Sequence, residues 1–276
     1  ITLGFNDKLS KHVKLSSSLT FTTSTNLVTK TSDDGGWITG GNYFNGQSQT
    51  VTIFASGYAP STYYGYKTNG LFQTVAEIAS SPSQSGAQPG DIKFVDINAD
   101  GKIDANDRTV IGNPFPDFTM GWNVTISYKN FDFTAFTYAS VGNDVYRAFE
   151  RNDNYTNKYQ TVLDRWTGPN STNDAHNPRY SFTDPNNNSR VSDRYVEDGS
   201  FVKIKNILIG YTLPETTTKK TFKSVRIYAQ IKNAITLTKY DGYDPEIPGY
   251  GLLDTGIDRG AYPQARNYTI GVDLKF

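Results

Sequence analysis

From Phe118 to Ala139 apolar and polar residues alternate almost without a break, around a two-residue turn. Phe118, Met120, Trp122, Val124, Ile126 and Tyr128 share one face. After Lys129-Asn130, Phe131, Phe133, Ala135, Thr137 and Ala139 continue it, because residues flanking such a turn pair on the same side. Thr119, Gly121, Asn123, Thr125, Ser127, Asp132, Thr134, Phe136 and Tyr138 fall on the other face. Period two is the strand period, and no helix gathers these residues on one side.

The same pattern recurs. Val13, Leu15, Leu19 and Phe21 alternate with Lys14, Ser16, Ser18 and Thr20, inside a stretch that reads as one long strand over 11–27. Val225, Ile227, Ala229 and Ile231 oppose Arg226, Tyr228, Gln230 and Lys232. Tyr268, Ile270, Val272, Leu274 and Phe276 close the chain on a single face. The stretch 199–212 carries apolar residues in both registers, so its facing stays open. About eight strands follow from this count, and the best helix signal, 71–81, is short.

The chain is all-β, and its strands are antiparallel. Two architectures share the alternation: a sandwich, which hides the apolar face in a core, and a membrane barrel, which turns it to lipid. No apolar run of about 18 residues is present, which excludes a membrane-spanning helix but not a barrel. Three features favour the barrel. Short turns (129–130, 214–220) alternate with long connections (143–198, 238–266), Tyr128 and Tyr211 lie by the short turns, and the 11–27 strand is long. The chain opens inside a strand, "ITLGFND", so we expect a longer parent protein.

Composition removes several functions. The formal net charge is zero, against a general nucleic-acid binder. Cysteine is absent, so no disulfide, zinc-thiolate or thiol nucleophile exists. With two histidines and none of the common hydrolase or nucleotide motifs, an enzyme is not expected.

"DINADGKIDAND", residues 96–107, has the oxygen spacing of an EF-hand loop. Asp96, Asn98 and Asp100 would be monodentate, Lys102 would offer its carbonyl, Asp104 would bind directly or through water, and Asp107 replaces the usual Glu. Pro114 and Pro116 deny the loop an exiting helix, so a structural Ca2+ clamp is expected rather than a sensor. The alternative is an Asx-rich turn held by side-chain to backbone hydrogen bonds. Tyrosines cluster in "STYYGY" (Tyr63, Tyr64, Tyr66) and "KYDGYDPEIPGYG" (Tyr240, Tyr243), and Phe136 and Tyr138 lie on the polar strand face. Flat rings among amides and carboxylates suit a glycan path; loop packing is the plainer alternative.

Several blocks together resemble the C-terminal part of SusC/RagA-type TonB-dependent outer-membrane transporters. They are "YYGYKTNGLFQT", "PGDIKFVDINADGKIDANDRTVIGNPFPDFTMGWN", "NNNSRVSDRYVEDGSFVKIKNILIGYTLP", "KYDGYDPEI" and "YPQARNYTIGVDLKF". The resemblance implies the C-terminal section of a transmembrane barrel in the outer membrane of a Gram-negative bacterium, with the 96–107 loop in a long external loop. It implies uptake of glycan oligosaccharides or peptides, beneath a SusD-like surface lipoprotein. The TonB complex would act through an N-terminal region that the blocks do not include. Phe276, after an alternating strand, looks like the family's assembly signal. A secreted, calcium-stabilised β-module that binds carbohydrate is the alternative, and it would hide its apolar faces from lipid.

If Ca2+ holds the 96–107 loop, replacing Asp96 and Asp100 by Ala abolishes a Ca2+-dependent rise in melting temperature. An identical melting temperature with Ca2+ and with chelator contradicts the metal.

Overall fold

A computed structural model describes residues 1–32, 35–44, 48–150, 157–214, 222–249 and 251–276. The chain begins with β1 (Thr2–Lys8) and β2 (Val13–Thr22). A first excursion then holds β3 (Ile38–Phe44), β4 (Ser48–Phe54), β5 (Thr62–Gly65), β6 (Thr68–Leu71), helix α1 (Val75–Ala79), β7 (Ile92–Phe94) and β8 (Thr109–Gly112). The hairpin β9 (Phe118–Tyr128) and β10 (Phe131–Val141) follows. A second excursion holds β11 (Asp144–Arg147) and β12 (Val196–Asp198), before β13 (Phe201–Thr212) and β14 (Ser224–Thr238). A third holds β15 (Ile257–Asp258), and β16 (Asn267–Lys275) ends the chain.

Seven strands form one antiparallel sheet in the order β1-β2-β9-β10-β13-β14-β16. The strand count expected from the sequence was about eight; seven enter this sheet. The predicted hairpin is present, with Tyr128 opposite Phe131 and Met120 opposite Ala139. The strand expected over 11–27 is shorter. It leaves the sheet at Thr22, where its partner β9 begins: Phe21 stacks on Phe118 at 5.1 Å and Thr23 Oγ1 donates to the Asp117 carbonyl at 2.9 Å. The short turn expected at 214–220 lies, beyond Pro214, outside the described residues.

The ambiguous facing of β13 has a geometric cause. Its register shifts between Phe136 and Thr137 of β10, which face Asn206 and Ile204, so Lys205 is an extra residue. Such a bulge changes parity. Val202 and Ile204 share the apolar face on one side of it, and Ile207, Ile209 and Tyr211 share the same face on the other. The shift continues into β14 beside Asn233, whose φ is +51°.

The two faces of the sheet differ sharply. On the apolar face Tyr268, Ile270, Val272 and Leu274 are 70, 83, 56 and 46% exposed, and Trp122, Ile126, Ile209 and Ile227 are exposed as well. Among the described residues no second sheet covers this face, which removes the sandwich, because a sandwich buries that stripe. The opposite face carries ionic and amide pairs. Arg226 on β14 reaches across β13 to Asp132 on β10, at 2.6 and 2.9 Å, and back to Asp273 on β16 at 2.9 Å. Gly210 lets the pair cross: a Cβ there would lie 2.5 Å from Arg226 and from Asp132. Gln230 donates to Asn206 at 2.7 Å, and the hydroxyls of Thr125 and Thr134 pair at 3.1 Å.

The three excursions leave the same end of the sheet and fold into one body. Its core is Val51 and Tyr63 from the first, Tyr146, Val191 and Tyr195 from the second, and Ile257 from the third. β11 pairs antiparallel with β12 and parallel with β15, which ties the second and third excursions through backbone hydrogen bonds.

Gly210→Val is expected to destabilise the full-length protein by about 1–3 kcal/mol, because the side chain overpacks the Arg226–Asp132 contact. Gly4→Val, where a Cβ meets nothing within 4 Å, is expected to stay within about 0.5 kcal/mol. Denaturant midpoints of the two variants in detergent check both.

Candidate functional site: the polar wall and the body above it

Two contacts fix the external body to the polar face of the sheet. Lys203, on β13, is 1% exposed, which a lysine tolerates only when its charge is met. Its ammonium donates to Asp244 at 2.5 Å and to Glu246 at 3.0 Å, and Lys205 donates to the other Glu246 oxygen at 2.5 Å. Lys203 and Lys205, two residues apart with Lys205 in the bulge, thus both reach one carboxylate. Burial alone would raise the Asp244 carboxyl, but Lys203 and the N–H groups of Glu246 and Gln264 outweigh it and hold it below the usual range. Glu246 is held down in the same way, against burial, by Lys205 and Lys203.

A second polar cluster organises the first and second excursions. Asp91 is fully buried and receives Arg179 at 2.7 and 3.2 Å and the Asn188 amide at 2.9 Å. Asn188 accepts from the Ile92 N–H at 2.8 Å, and the Asn186 amide donates to the Ile92 carbonyl at 3.1 Å. Gln84 accepts from the Phe94 N–H at 3.1 Å. Side-chain amides thus satisfy the open edge of β7 where no strand does. The "NNNS" run is therefore structural.

The 96–107 loop lies in the first excursion between β7 and β8. Gly101 takes φ +84°, the left-handed turn the spacing requires. Asp96 accepts from the N–H groups of Asp100 and Gly101 at 3.2 and 2.8 Å, and Asn98 from Asp100 at 3.1 Å. The Lys102 N–H donates to Asp100 at 3.1 Å, while its ammonium sits 2.8 Å from Asp104. Buried Asp107 accepts from Ile97 and Asp104 at 2.9 and 2.7 Å. The loop thus closes as an Asx-rich turn. Its donors are of the hard-oxygen type that suits Ca2+, and an oxygen accepting one N–H keeps a second lone pair. Among the described residues, no group of three or more acidic or histidine side chains is drawn around one point.

The aromatic candidates separate. Tyr63 is fully buried among Val51, Tyr146 and Ile257, and its hydroxyl donates to the Asp144 carbonyl at 3.1 Å. Tyr240 is 5% exposed and donates to Asp258 at 2.6 Å. Both are core residues, which corrects their assignment to substrate. Sequence misplaced them because a tyrosine in a polar loop looks the same whether the loop is splayed or folded on itself. Tyr64 and Tyr66 are half-buried beneath Arg108 and Arg190, each guanidinium 5.0 Å from its ring. Phe136 and Tyr138 are half-buried on the polar face, with Lys205 5.0 Å over the Tyr138 ring. Tyr243 is 62% exposed. Phe276 is exposed at the sheet end, its ring 5.3 Å from Phe222.

The charged residues of the polar wall escaped the sequence reading as a group. Asp132, Arg226 and Asp273 all lie at polar-face positions of the alternation, but only the strand order β10-β13-β14-β16 brings them together.

Comparisons with known proteins agree with this geometry. No family model matches the chain. It is 35% identical over 247 residues, 86% of its length, to TonB-dependent receptor P3 of Formosa agariphila, of which it covers 24%. It is 28% identical over 233 residues to TonB-dependent receptor SusC of Bacteroides thetaiotaomicron, covering 84% of this chain and 21% of the relative. The RagAB peptide transporter structure superimposes on the whole chain with a TM-score of 0.75 at 20% identity, over 28% of that chain, and this likeness speaks for the fold. The chain thus spans about a quarter of the length of the relatives it matches. Those relatives are named as receptors and not as enzymes. An exposed apolar stripe, a polar opposite face and one-sided excursions are what a section of barrel wall needs, and with them this chain belongs to the TonB-dependent receptors.

Proposed function

We propose that the chain forms part of the wall and external loops of an outer-membrane importer of a Gram-negative bacterium. In this reading its polar face lines the path of an oligosaccharide or a peptide. The observation that carries it is the sheet with one exposed apolar face and one charge-paired face. A lipid-facing wall satisfies every backbone group through its neighbours and offers hydrocarbon an apolar surface. Strands β9 and β10, of 11 residues each, are long enough to cross the apolar layer when tilted. Tyr128, Phe131 and Tyr211 stand at the short-turn rim as an aromatic girdle, with Phe131 and Tyr211 at 4.6 Å.

The partners follow from the same reading. A SusD-like surface lipoprotein would meet the external body, and the TonB complex would act through parts of the parent protein outside this chain. Tyr64, Tyr66, Phe136, Tyr138 and Tyr243 are the aromatic residues that remain near a surface for substrate. Phe276 would serve barrel assembly. Ca2+ on residues 96–107 remains a proposal from their spacing, and would add to a loop that already closes by hydrogen bonds.

Ile270→Lys on the apolar face is expected to cost about 2–4 kcal/mol near the bilayer midplane and to reduce the heat-modifiable, folded receptor in outer membranes. Thr269→Lys, one residue away on the polar face, is expected to assemble normally. Equal assembly of the two variants contradicts the wall. Deleting the receptor gene is expected to remove accumulation of labelled oligosaccharide or peptide, and unchanged accumulation of both contradicts importer function.

A further inference from the structure

Three aromatic rings from two excursions meet above the polar wall. Phe149 follows β11, Tyr159 precedes the short turn Gln160–Asp164, and Tyr243 lies in the third excursion. Phe149 is 5.5 Å from Tyr159 and 6.2 Å from Tyr243 by ring centroids. Tyr159 and Tyr243 remain 44 and 62% exposed, although each has an aromatic neighbour to hide against. Burial, together with the neighbouring Tyr243, raises the Tyr159 phenol above its ordinary value.

A ring of charged groups surrounds the cluster. The Arg147 guanidinium lies 5.4 Å over the Phe149 ring, donates to Glu197 at 2.7 Å and pairs with Glu150. It also lies 3.6 Å from Asp241, whose side chain is 73% exposed. Tyr243 is held in place, because the next residue, Asp244, is fastened to Lys203 of the wall.

We propose that Phe149, Tyr159 and Tyr243, with Asp241 at their rim, form a saccharide-binding subsite at the external mouth of the polar face. This rests on the importer reading and adds to it a place and a ligand chemistry. A pyranose ring has an apolar C–H face and a rim of hydroxyls. The exposed rings offer a surface for the first, and the Asp241 carboxylate and the two phenols offer partners for the second. An extended peptide would call instead for a row of free backbone N–H and C=O groups. Here β11 is paired on both sides, with β12 and β15, and offers no such row. The fixed rings also limit the entropy lost on binding.

The test is calorimetric titration of the detergent-solubilised full-length receptor with maltotetraose, cellotetraose and xylotetraose, and with tetraalanine as the peptide probe. At least one tetrasaccharide is expected to bind. Tyr243→Ala is expected to weaken it about tenfold, Tyr243→Phe to stay within about twofold, and Asp241→Asn to weaken it about threefold. Folding of each variant is verified by gel heat-modifiability. Undiminished saccharide affinity in Tyr243→Ala overturns the subsite. Binding of tetraalanine and of no saccharide overturns the ligand class. Either result leaves importer function standing, because that is read from accumulation in the gene deletion.

Discussion

The structure depends on an asymmetry between the two faces of one sheet. Between its edge strands, β1 and β16, the strands satisfy each other's backbone groups, so there the surroundings need supply only side-chain complements. On one face those side chains are Leu, Ile, Val and aromatic residues, and among the described residues many of them stand exposed. In water, an apolar surface of that extent is a liability; against hydrocarbon it is the stable choice. On the other face Arg226 spans from Asp132 to Asp273, so three strands share one cation. Charges of that kind belong where water or protein, and not lipid, meets the wall.

The same asymmetry places the external body. The bulge at Lys205 turns β13 by one residue, keeps its apolar side outward throughout, and directs Lys203 and Lys205 to Asp244 and Glu246. The third excursion is thereby fastened to the wall at the end of the sheet where the first two also emerge. Their shared core, Tyr63, Tyr146, Tyr195 and Ile257, makes one folded unit of three segments far apart in sequence. Tyr243 is carried to the mouth of the polar face by this attachment.

Much of the wall was legible in the sequence, because period-two alternation is a local signal. The hairpin at Lys129-Asn130 and the facing of β16 follow from it directly. The facing of β13 did not, since a bulge mixes two parities in a single stretch. The excursions were hardest. Tyr63 and Tyr240 sit in polar, glycine-rich surroundings that read as open loops; the Tyr63 hydroxyl is met by carbonyls 81 and 192 residues away, on Asp144 and Thr255, and the Tyr240 hydroxyl by Asp258, 18 residues on. The ion pairs of the wall were present as residue types, and only strand order assembles them. The 96–107 loop shows the converse: its spacing is unmistakable, yet the hydrogen bonds that close it are compatible with either of its readings.

The most direct measurement is side-chain accessibility along β16 in a bilayer. Single cysteines at positions 268 to 274 of the reconstituted full-length receptor, spin-labelled one at a time, report collisions with oxygen in lipid and with a nickel chelate in water. A lipid-facing wall gives oxygen maxima at 268, 270, 272 and 274 and a lower, period-two oxygen signal at 269, 271 and 273. A flat profile, or maxima shifted by one residue, would contradict it.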